Sequence, residues 1–331
     1  MQNNFNFKVF FLNLLFLFLL LIAAIICCLK TGSADISFFD LYSTLFGQVD
    51  DIKRSIILNL RLPRIFIAIA VGGGLSIVGA IFQGIFMNPL AEPYVLGISS
   101  GAALGTVVGI VLGFNLFFIN LFAFTGALVV TLFTFVLARK LLTLQNESML
   151  LIGIMISSFL SAMILIIISM AHETAKNAYF WLIGNLALAD MQYADYVLIF
   201  TIIISIFLSF YGYKLNLLAL GEDNAKYLGI NYLQVKYILI ILSSIMVAVL
   251  VSLSGIIGFV GLVVPHFTRL IYGVDNRKVL PYSFLIGAIY LTVADTIGRT
   301  VMAPAEIPVG AITAFLGSPI FIYFLRKSRI S

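Results

Sequence analysis

Few side chains in this 331-residue chain have a type and spacing suited to covalent chemistry or metal binding. His266 follows Pro265 in an apolar stretch, and a lone histidine of this kind is typical of a structural hydrogen bond. The pair His172-Glu173 does not start an H-E-x-x-H zinc motif, because Lys176 stands where the second histidine belongs. We therefore predict no catalytic residue and no metal site.

Nucleotide binding and ion coupling have equally little support in the sequence. No G-x-x-x-x-G-K-[ST] phosphate loop occurs, so we predict that any ATP and Mg²⁺ are bound by a partner ATPase and that this chain has no cofactor of its own. Asp295 is the one acidic residue placed deep enough in an apolar segment to carry an ion or a proton. Cys27 and Cys28 are adjacent within an apolar run, where they act as small hydrophobic residues.

The composition is that of a membrane protein. Hydrophobic residues make up 62% of the chain, charged residues only 10%, and the mean hydropathy is +1.15. A soluble domain carries roughly a quarter charged residues, so a soluble enzyme, a disordered protein and a free nucleic-acid binder are excluded. The net charge of +5 is expected from basic cytoplasmic loops.

Apolar runs long enough to cross a bilayer predict an all-α polytopic protein, a single transmembrane domain over residues 1–331. The run at 9–29 is too long for the core of a signal peptide and is counted as the first span. The ten predicted spans are 9–29, 65–86, 94–113, 116–138, 148–170, 193–213, 234–253, 256–271, 279–298 and 307–325. The boundary between the seventh and eighth is placed at Ser252-Leu253-Ser254-Gly255.

The distribution of Lys and Arg predicts that both termini are cytoplasmic. With the N-terminus inside, most of the 19 basic residues fall on the cytoplasmic side, including the C-terminal run Arg326-Lys327-Ser328-Arg329. The exceptions on the other side are Lys30, Lys53, Arg54, Arg61, Arg64, Lys176 and Arg299.

Two stripes of small residues predict close contact between helices. Residues four apart lie on one helix face, and small residues there let membrane helices approach each other. Such stripes suit packing within a bundle or the lining of a pathway, and the sequence leaves both open. One stripe comprises Gly97, Gly101, Gly105, Gly109 and Gly113, and the other Gly72, Ser76, Ala80 and Gly84.

Three sets of motifs resemble the permease subunits of ABC importers for iron–siderophore complexes, haem and cobalamin (the FecCD/BtuC-like type II importers). The resemblance covers about residues 55–328, and the motifs agree in order and spacing. The first set is L-R-L-P-R at 60–64 with G-G-G at 72–74, Q-G at 83–84, N-P-L-A-E-P at 88–93 and L-G-I-S-S-G-A at 96–102. The second set is L-G-E at 220–222 with Ala225 and Leu228-Gly229. The third set is G-I-I-G-F-V-G-L-V-V-P-H at 255–266 with Arg269-Leu270, Ala294-Asp295, Arg299, P-A-E-I-P-V-G at 304–310 and G-S-P at 317–319.

The resemblance implies a complete importer around this chain. It implies ten helices per subunit, a second permease subunit that we expect to be identical, two cytoplasmic ATPase subunits and a periplasmic or lipid-anchored substrate-binding protein. It further implies that Arg61, Arg64 and Arg299 dock acidic residues of the binding protein. The planar guanidinium suits this role because it binds a carboxylate bidentately. Anchoring at the membrane interface is the alternative for these arginines.

The cytoplasmic interval 214–230 resembles the coupling element that rests on the ATPase. The residues assigned to it are Gly221, Glu222, Ala225, Leu228 and Gly229, with Gly229 placed to end a short helix. A short surface helix without a partner is the alternative.

Prolines predict interruptions of helical backbone, because proline removes a hydrogen bond and restricts the residue before it. Pro89, Pro93, Pro265 with His266, and Pro308 are therefore predicted as hinges or simple bends. Asp295 and Arg299, four residues apart, are placed to pair on one helix face.

These features lead to one main expectation and several rivals. We expect a multi-pass subunit of the bacterial cytoplasmic (inner) membrane that contacts lipid, binds no nucleic acid and imports an iron(III)–siderophore complex. Haem or cobalamin import by the same machinery is the alternative cargo. An ion-coupled secondary transporter using Asp295 and a membrane-embedded enzyme using His266 are rivals that leave the matched motifs unexplained.

Overall fold

The computed structural model describes residues 6–32, 34–47, 50–141, 146–171, 175–188 and 191–328, and within these ranges it is helical with no strand. A π-helical turn, Ile56–Arg61, joins the third and fourth helices into one long rod. In chain order the helices are α1 (Phe7–Lys30), α2 (Phe38–Leu45), α3 (Asp51–Ser55), α4 (Leu62–Phe86), α5 (Ile98–Val111), α6 (Leu116–Leu141), α7 (Asn146–Met170), α8 (Ala175–Leu182), α9 (Ala194–Phe210), α10 (Gly212–Leu218), α11 (Glu222–Tyr227), α12 (Tyr232–Ser254), α13 (Val260–Tyr272), α14 (Asn276–Thr300) and α15 (Val309–Ser328).

A helix lies in each of the ten predicted intervals, although the helices differ in length. Among the described residues, six rods are long and apolar enough to cross a membrane: α1, α3 with α4, α6, α7, α12 and α14. The pair α9 and α10, bent by 53°, adds a seventh candidate, while α5, α13 and α15 are shorter apolar helices. Length and composition thus support six or seven spans, and the count of ten stays a prediction.

Helix α4 is the centre of the bundle. In its most apolar stretch 94% of the residues are buried, against 11% for α1, and its neighbours are α9, α12, α13 and α14. Glycines allow this crowding, since a Cβ on Gly72 would overlap the carbonyl oxygen of Gly287 in α14. Gly79 would meet the carbonyl oxygen of Gly261 in α13 in the same way. Without side chains at these crossings, the helix backbones come into direct contact.

Both predicted stripes of small residues pack against helices of this same chain. In the first stripe, Gly101 and Gly105 face the backbone of α6, and Gly109 faces Ile119 of that helix. The structure therefore favours bundle packing for these glycines over the lining of a pathway. The two end residues of the stripe were expected on the same helix face but lie outside the helix. Gly97 (φ +80°) precedes α5, and Gly113 (φ +72°) follows it with open space around it.

The second stripe points to two different neighbours along α4. Gly72 and Ser76 lie against Gly287 of α14, and Gly84 lies against Leu215 of α10. The backbone oxygen of the stripe residue Ala80 accepts a hydrogen bond from Arg269 of α13, at 3.1 Å.

Two non-helical segments meet inside the bundle, at 87–97 and 255–259. The third and eighth spans were predicted to begin at 94 and 256, but the helices inside them begin later, at Ile98 and Val260, because Gly97 (φ +80°) and Phe259 (φ +67°) adopt left-handed backbone just before each helix. The Tyr94 hydroxyl donates to the Ile257 oxygen (2.9 Å) and accepts from the Ile257 N–H (3.2 Å), which satisfies backbone that no helix pairs. The predicted boundary after α12 is confirmed, since that helix ends at Ser254.

Candidate docking and coupling sites

Arg64 is the central cation of a charge network at the C-terminal end of α14. Its Nε donates to both carboxylate oxygens of Asp295 (2.9 and 3.1 Å), and its Nη2 donates to one of them at 2.8 Å. Its Nη1 donates to the two carboxylate oxygens of Glu306 at 3.0 and 3.2 Å. Arg64 thus ties α4 to both α14 and the loop that leads to α15, through charge-assisted hydrogen bonds.

The other two arginines of this group donate their hydrogen bonds mainly to backbone carbonyl oxygens. Arg299 donates to the carbonyl oxygen of Cys28 at 2.5 Å. Arg61, only 5% exposed, donates to three carbonyl oxygens at and beyond the end of α1: those of Leu29 (2.5 Å), Lys30 (3.0 Å) and Ala34 (2.8 Å). The last carbonyls of a helix lack intrahelical partners and carry partial negative charge, so two buried guanidinium groups stabilise the end of α1.

These contacts reduce the candidates for docking from three arginines to one, Arg64. Docking needs a guanidinium that a carboxylate of another protein can reach, but Arg61 and Arg299 are turned inward to α1. Arg64 alone has a partner on the surface, Glu306, whose side chain is 38% exposed. The predicted pairing of Asp295 with Arg299 is also a minor contact, at 3.9 Å against 2.8 Å for Arg64. We refer to Arg61, Arg64, Asp295, Arg299 and Glu306 together as the docking end.

The interval 214–230, for which the sequence predicts a coupling role, contains most of α10 and all of α11, between α9 and α12. Gly221 (φ +92°) is the N-cap that precedes α11, and Gly229 (φ +78°) follows the helix after Leu228, both in backbone conformations that favour glycine. Ala225 is fully buried and anchors the helix. The Glu222 carboxylate lies 2.8 Å from the Lys226 ammonium and raises the pKa of Lys226 by its hydrogen bond and charge.

The outward face of α11 is apolar at its end. Tyr227 is 89% exposed and Leu228 is 57% exposed, while Leu220, just before the helix, is exposed as well. Of these three, only Leu228 was among the sequence-predicted coupling residues. Exposed aromatic and aliphatic side chains on an anchored helix suit a contact with another protein.

A polar contact that the sequence did not predict fixes α10 to the start of α14. Asn216 donates to a carboxylate oxygen of Asp275 (2.7 Å), and its own amide oxygen accepts the backbone N–H of Asn276 (2.9 Å). Asp275 is the N-cap of α14 and also binds Arg277 at 2.6 Å. We call α10, α11, Asn216 and Asp275 the coupling end. Asn and Asp are common near the ends of helices, so their presence in the sequence gives no sign of the contact between α10 and α14, which only the three-dimensional structure reveals.

The predicted hinge residues occupy different kinds of position. Pro89 and Pro93 lie in the non-helical segment 87–97, Pro265 lies inside α13, and Pro308 directly precedes α15. The ring of His266 packs edge-on against Phe321 of α15, with 5.8 Å between ring centroids. The described ranges contain no group of three His, Cys, Asp or Glu residues that could hold a metal ion. His172 and Glu173 lie outside the described residues.

Comparison with known proteins gives one consistent family. The sequence model of the FecCD transport family matches residues 19–327. The hemin transport system permease protein HmuU of Yersinia pestis is 38% identical over 95% of both chains. The molybdate import system permease protein MolB of Haemophilus influenzae is 34% identical over 86% of each.

A solved structure has the same fold. A metal-chelate type ABC transporter in an inward-facing conformation superposes with a TM-score of 0.86, at 32% identity over 95% of this chain and 98% of the other.

Proposed function

We propose, from the premise that this chain belongs to the FecCD transport family, that it is the permease subunit through which an iron(III)–siderophore complex crosses the bacterial cytoplasmic membrane. That the chain is a multi-pass ABC importer permease follows from the family itself. The observation that supports this choice of cargo is the close structural similarity to a metal-chelate type transporter over almost the whole chain. Haem is the second candidate, because the hemin permease HmuU is similar over 95% of its length.

We place both termini in the cytoplasm, with ten membrane crossings and an identical second permease subunit. The excess of basic residues on one side of the ten predicted segments supports this orientation. In this orientation the coupling end faces the cytoplasm and the docking end faces the substrate-binding protein. The short helices α5 and α13 count as crossings together with the non-helical segments 87–97 and 255–259 that precede them.

Energy for transport comes, in this proposal, from two cytoplasmic ATPase subunits that bind ATP and Mg²⁺. The chain has no phosphate-loop motif of its own, and α11 offers an apolar face anchored by Ala225. The contact between α10 and α14 would pass a movement of the ATPase on to the centre of the bundle.

Ion coupling through Asp295 is the weaker account of the energy source. A carboxylate that carries a proton or ion must release its cation during the cycle. Asp295 instead accepts three hydrogen bonds from Arg64, and its side chain is 4% exposed. Removing a buried, hydrogen-bonded counter-ion is strongly unfavourable, so this carboxylate serves structure better than ion transfer.

We also propose that the conformation described here is inward-facing. The solved relative has that conformation and superposes closely. In this state the docking end is held together by Arg64, which links α4, α14 and the loop before α15.

Uptake by whole cells tests the function and the cargo together. Cells that lack this gene and complemented cells would be given ferric catecholate and hydroxamate siderophores, haem and cobalamin in competition. A variant of the partner ATPase without its phosphate-loop lysine serves as the control. We expect uptake of a ferric siderophore that needs both this gene and the intact ATPase. Uptake of haem alone would correct the cargo, and uptake that survives the ATPase variant but stops with an uncoupler would overturn the energy source.

A further inference from the structure

We infer that Glu306 occupies the position on Arg64 that an acidic side chain of the docking protein takes, so that docking exchanges one carboxylate for another. Glu306 would then be a built-in competitor that lowers the affinity of the resting permease for its binding protein. This inference rests on the proposed function, since it needs a binding protein that docks at this end.

The two carboxylates on Arg64 are held in unequal ways. Asp295 belongs to the rigid helix α14, is buried, and binds the Nε–Nη2 edge of the guanidinium with three hydrogen bonds. Glu306 lies in the non-helical segment 301–308 and binds Nη1 alone. Only the Glu306 side of Arg64 is therefore open to replacement from outside.

Energetics favour the same exchange. If Arg64 left Asp295 for a partner, the buried carboxylate would lose three hydrogen bonds and keep only the more distant Arg299 (3.9 Å), which is strongly unfavourable. If Arg64 keeps Asp295 and releases Glu306, the departing carboxylate is already 38% exposed and passes into water. A partly exposed ion pair contributes a factor of about five or less to an equilibrium constant, so a well-placed outside carboxylate can compete with it.

The surroundings of Glu306 suit a protein partner. Val301 and Met302, in the same loop, expose 67% and 58% of their surface. Contacts with a charged centre and an apolar surround are typical of binding hot spots, where the surround excludes water from the central pair. The docking partner is thus expected to present an acidic side chain within an apolar patch.

Removing the competing charge while keeping the shape of the side chain tests the inference. The full-length permease, assembled with its ATPase in lipid nanodiscs, would be titrated with the cargo-free substrate-binding protein of the same bacterium. Glu306→Gln should tighten binding by about three- to fivefold, the factor expected for release of a partly exposed pair. Asp35→Asn is the matched control, because Asp35 is an exposed acid at the same end of the molecule, beyond α1, and no contact with Arg64 is seen for it.

A variant that lacks Arg64 shows whether the gain in affinity for the binding protein depends on this residue. The double variant Arg64→Gln with Asp295→Asn removes the cation without leaving a buried carboxylate unpaired. Adding Glu306→Gln to it should give no further gain in affinity. Unchanged or weaker binding by Glu306→Gln, an equal gain from Asp35→Asn, or a gain that persists without Arg64 would each overturn the inference. If the wild-type complex binds no binding protein at all, the proposed docking function fails, and the inference with it.

Discussion

Asp275 and Asp295 lie at opposite ends of α14, and each joins this helix to a different part of the chain. Asp275 accepts a hydrogen bond from Asn216 of α10 at 2.7 Å, and Asp295 accepts one from Arg64 of α4 at 2.8 Å. A helix of 25 residues is about 37 Å long, so α14 is long enough to reach across the hydrocarbon core of a membrane. A rigid helix held at both ends transmits a displacement from one end to the other.

Loss of the contact between α10 and α14 should separate ATP hydrolysis from transport. Asn216→Ala removes the hydrogen bonds to Asp275 and Asn276, which together are expected to cost about 1–3 kcal/mol of local stability. We expect the reconstituted complex to keep hydrolysing ATP while uptake into proteoliposomes falls at least about threefold per ATP consumed.

Asn59→Ala is the matched control for this variant. It deletes the same side chain from the π-helical turn Ile56–Arg61, outside the coupling end, where Asn59 donates a local hydrogen bond to the Ser55 hydroxyl. Equal ratios of uptake to hydrolysis in both variants would show that the link to α14 does not carry the movement.

Contact between helix backbones should make Gly287 intolerant of even one methyl group. A Cβ at this position would overlap Ser76 and the carbonyl oxygen of Gly72 in α4. Gly287→Ala should destabilise the protein by about 1–3 kcal/mol through overpacking, seen as a lower unfolding midpoint in detergent. Gly258→Ala is the control, because Gly258 has open space and no positive φ. Similar midpoints for the two variants would contradict the close approach of α14 and α4.

Composition and short-range spacing predicted much of this arrangement. Apolar runs located ten helical segments, because burial in lipid requires long apolar stretches whatever the neighbours are. Small residues four apart correctly indicated tight helix contact at Gly72 and Gly101, and Gly229 correctly marked the end of α11. These features depend on local periodicity, which the sequence states directly.

Contacts between side chains that are distant along the chain could not be predicted from local periodicity. Spacing of four residues favoured Arg299 as the partner of Asp295, but the closer partner is Arg64, 231 residues away. The carbonyl oxygens that bind Arg61 have no signature in the sequence, since every residue has one. The non-helical start of the third predicted span, before Ile98, was not foreseen, because a left-handed glycine cannot be recognised without the backbone conformation.

The Tyr94 hydroxyl should be needed where the two non-helical segments meet. Tyr94→Phe leaves both the N–H and the oxygen of Ile257 without this partner, and unpaired buried polar groups cost about 1–3 kcal/mol each. We expect a lower unfolding midpoint and reduced uptake. Tyr290→Phe, which removes a single longer hydrogen bond to the Thr313 oxygen (3.3 Å), should have a smaller effect on both. A larger effect of the Tyr290 variant would rule out the special importance of this junction.

Acid should weaken the start of α2 through Asp40. Hydrogen bonds from the Ser37 backbone and from Lys53 lower the pKa of Asp40 to about 2, below the value of about 3.9 for an unfolded chain. A lowered pKa in the folded state contributes stability above the unfolded value, and this contribution is lost as the pH falls through the folded value. The unfolding midpoint of the wild type should therefore exceed that of Asp40→Asn at pH 5–7, and the difference should close as the pH approaches 2. A difference that does not change between pH 6 and pH 2 would show that the charge of Asp40 is not responsible.

The apolar end of α11 should contribute more to ATPase assembly than its ion pair does. Truncating Tyr227 and Leu228 together to alanine removes two exposed side chains, so the fold and its unfolding midpoint should stay unchanged. Aromatic anchors at interfaces contribute enough that we expect at least about tenfold weaker binding of the ATPase, measured by titration in nanodiscs. Glu222→Gln should change that affinity by less than about threefold, because an exposed pair four residues apart contributes only a few tenths of a kcal/mol. Tyr42→Ala in α2 is the control and should leave assembly unaltered, because Tyr42 is also exposed (61%) but lies beyond the C-terminal end of α1, away from α11. If the double variant binds the ATPase as the wild type does, the α11 face is not the contact surface.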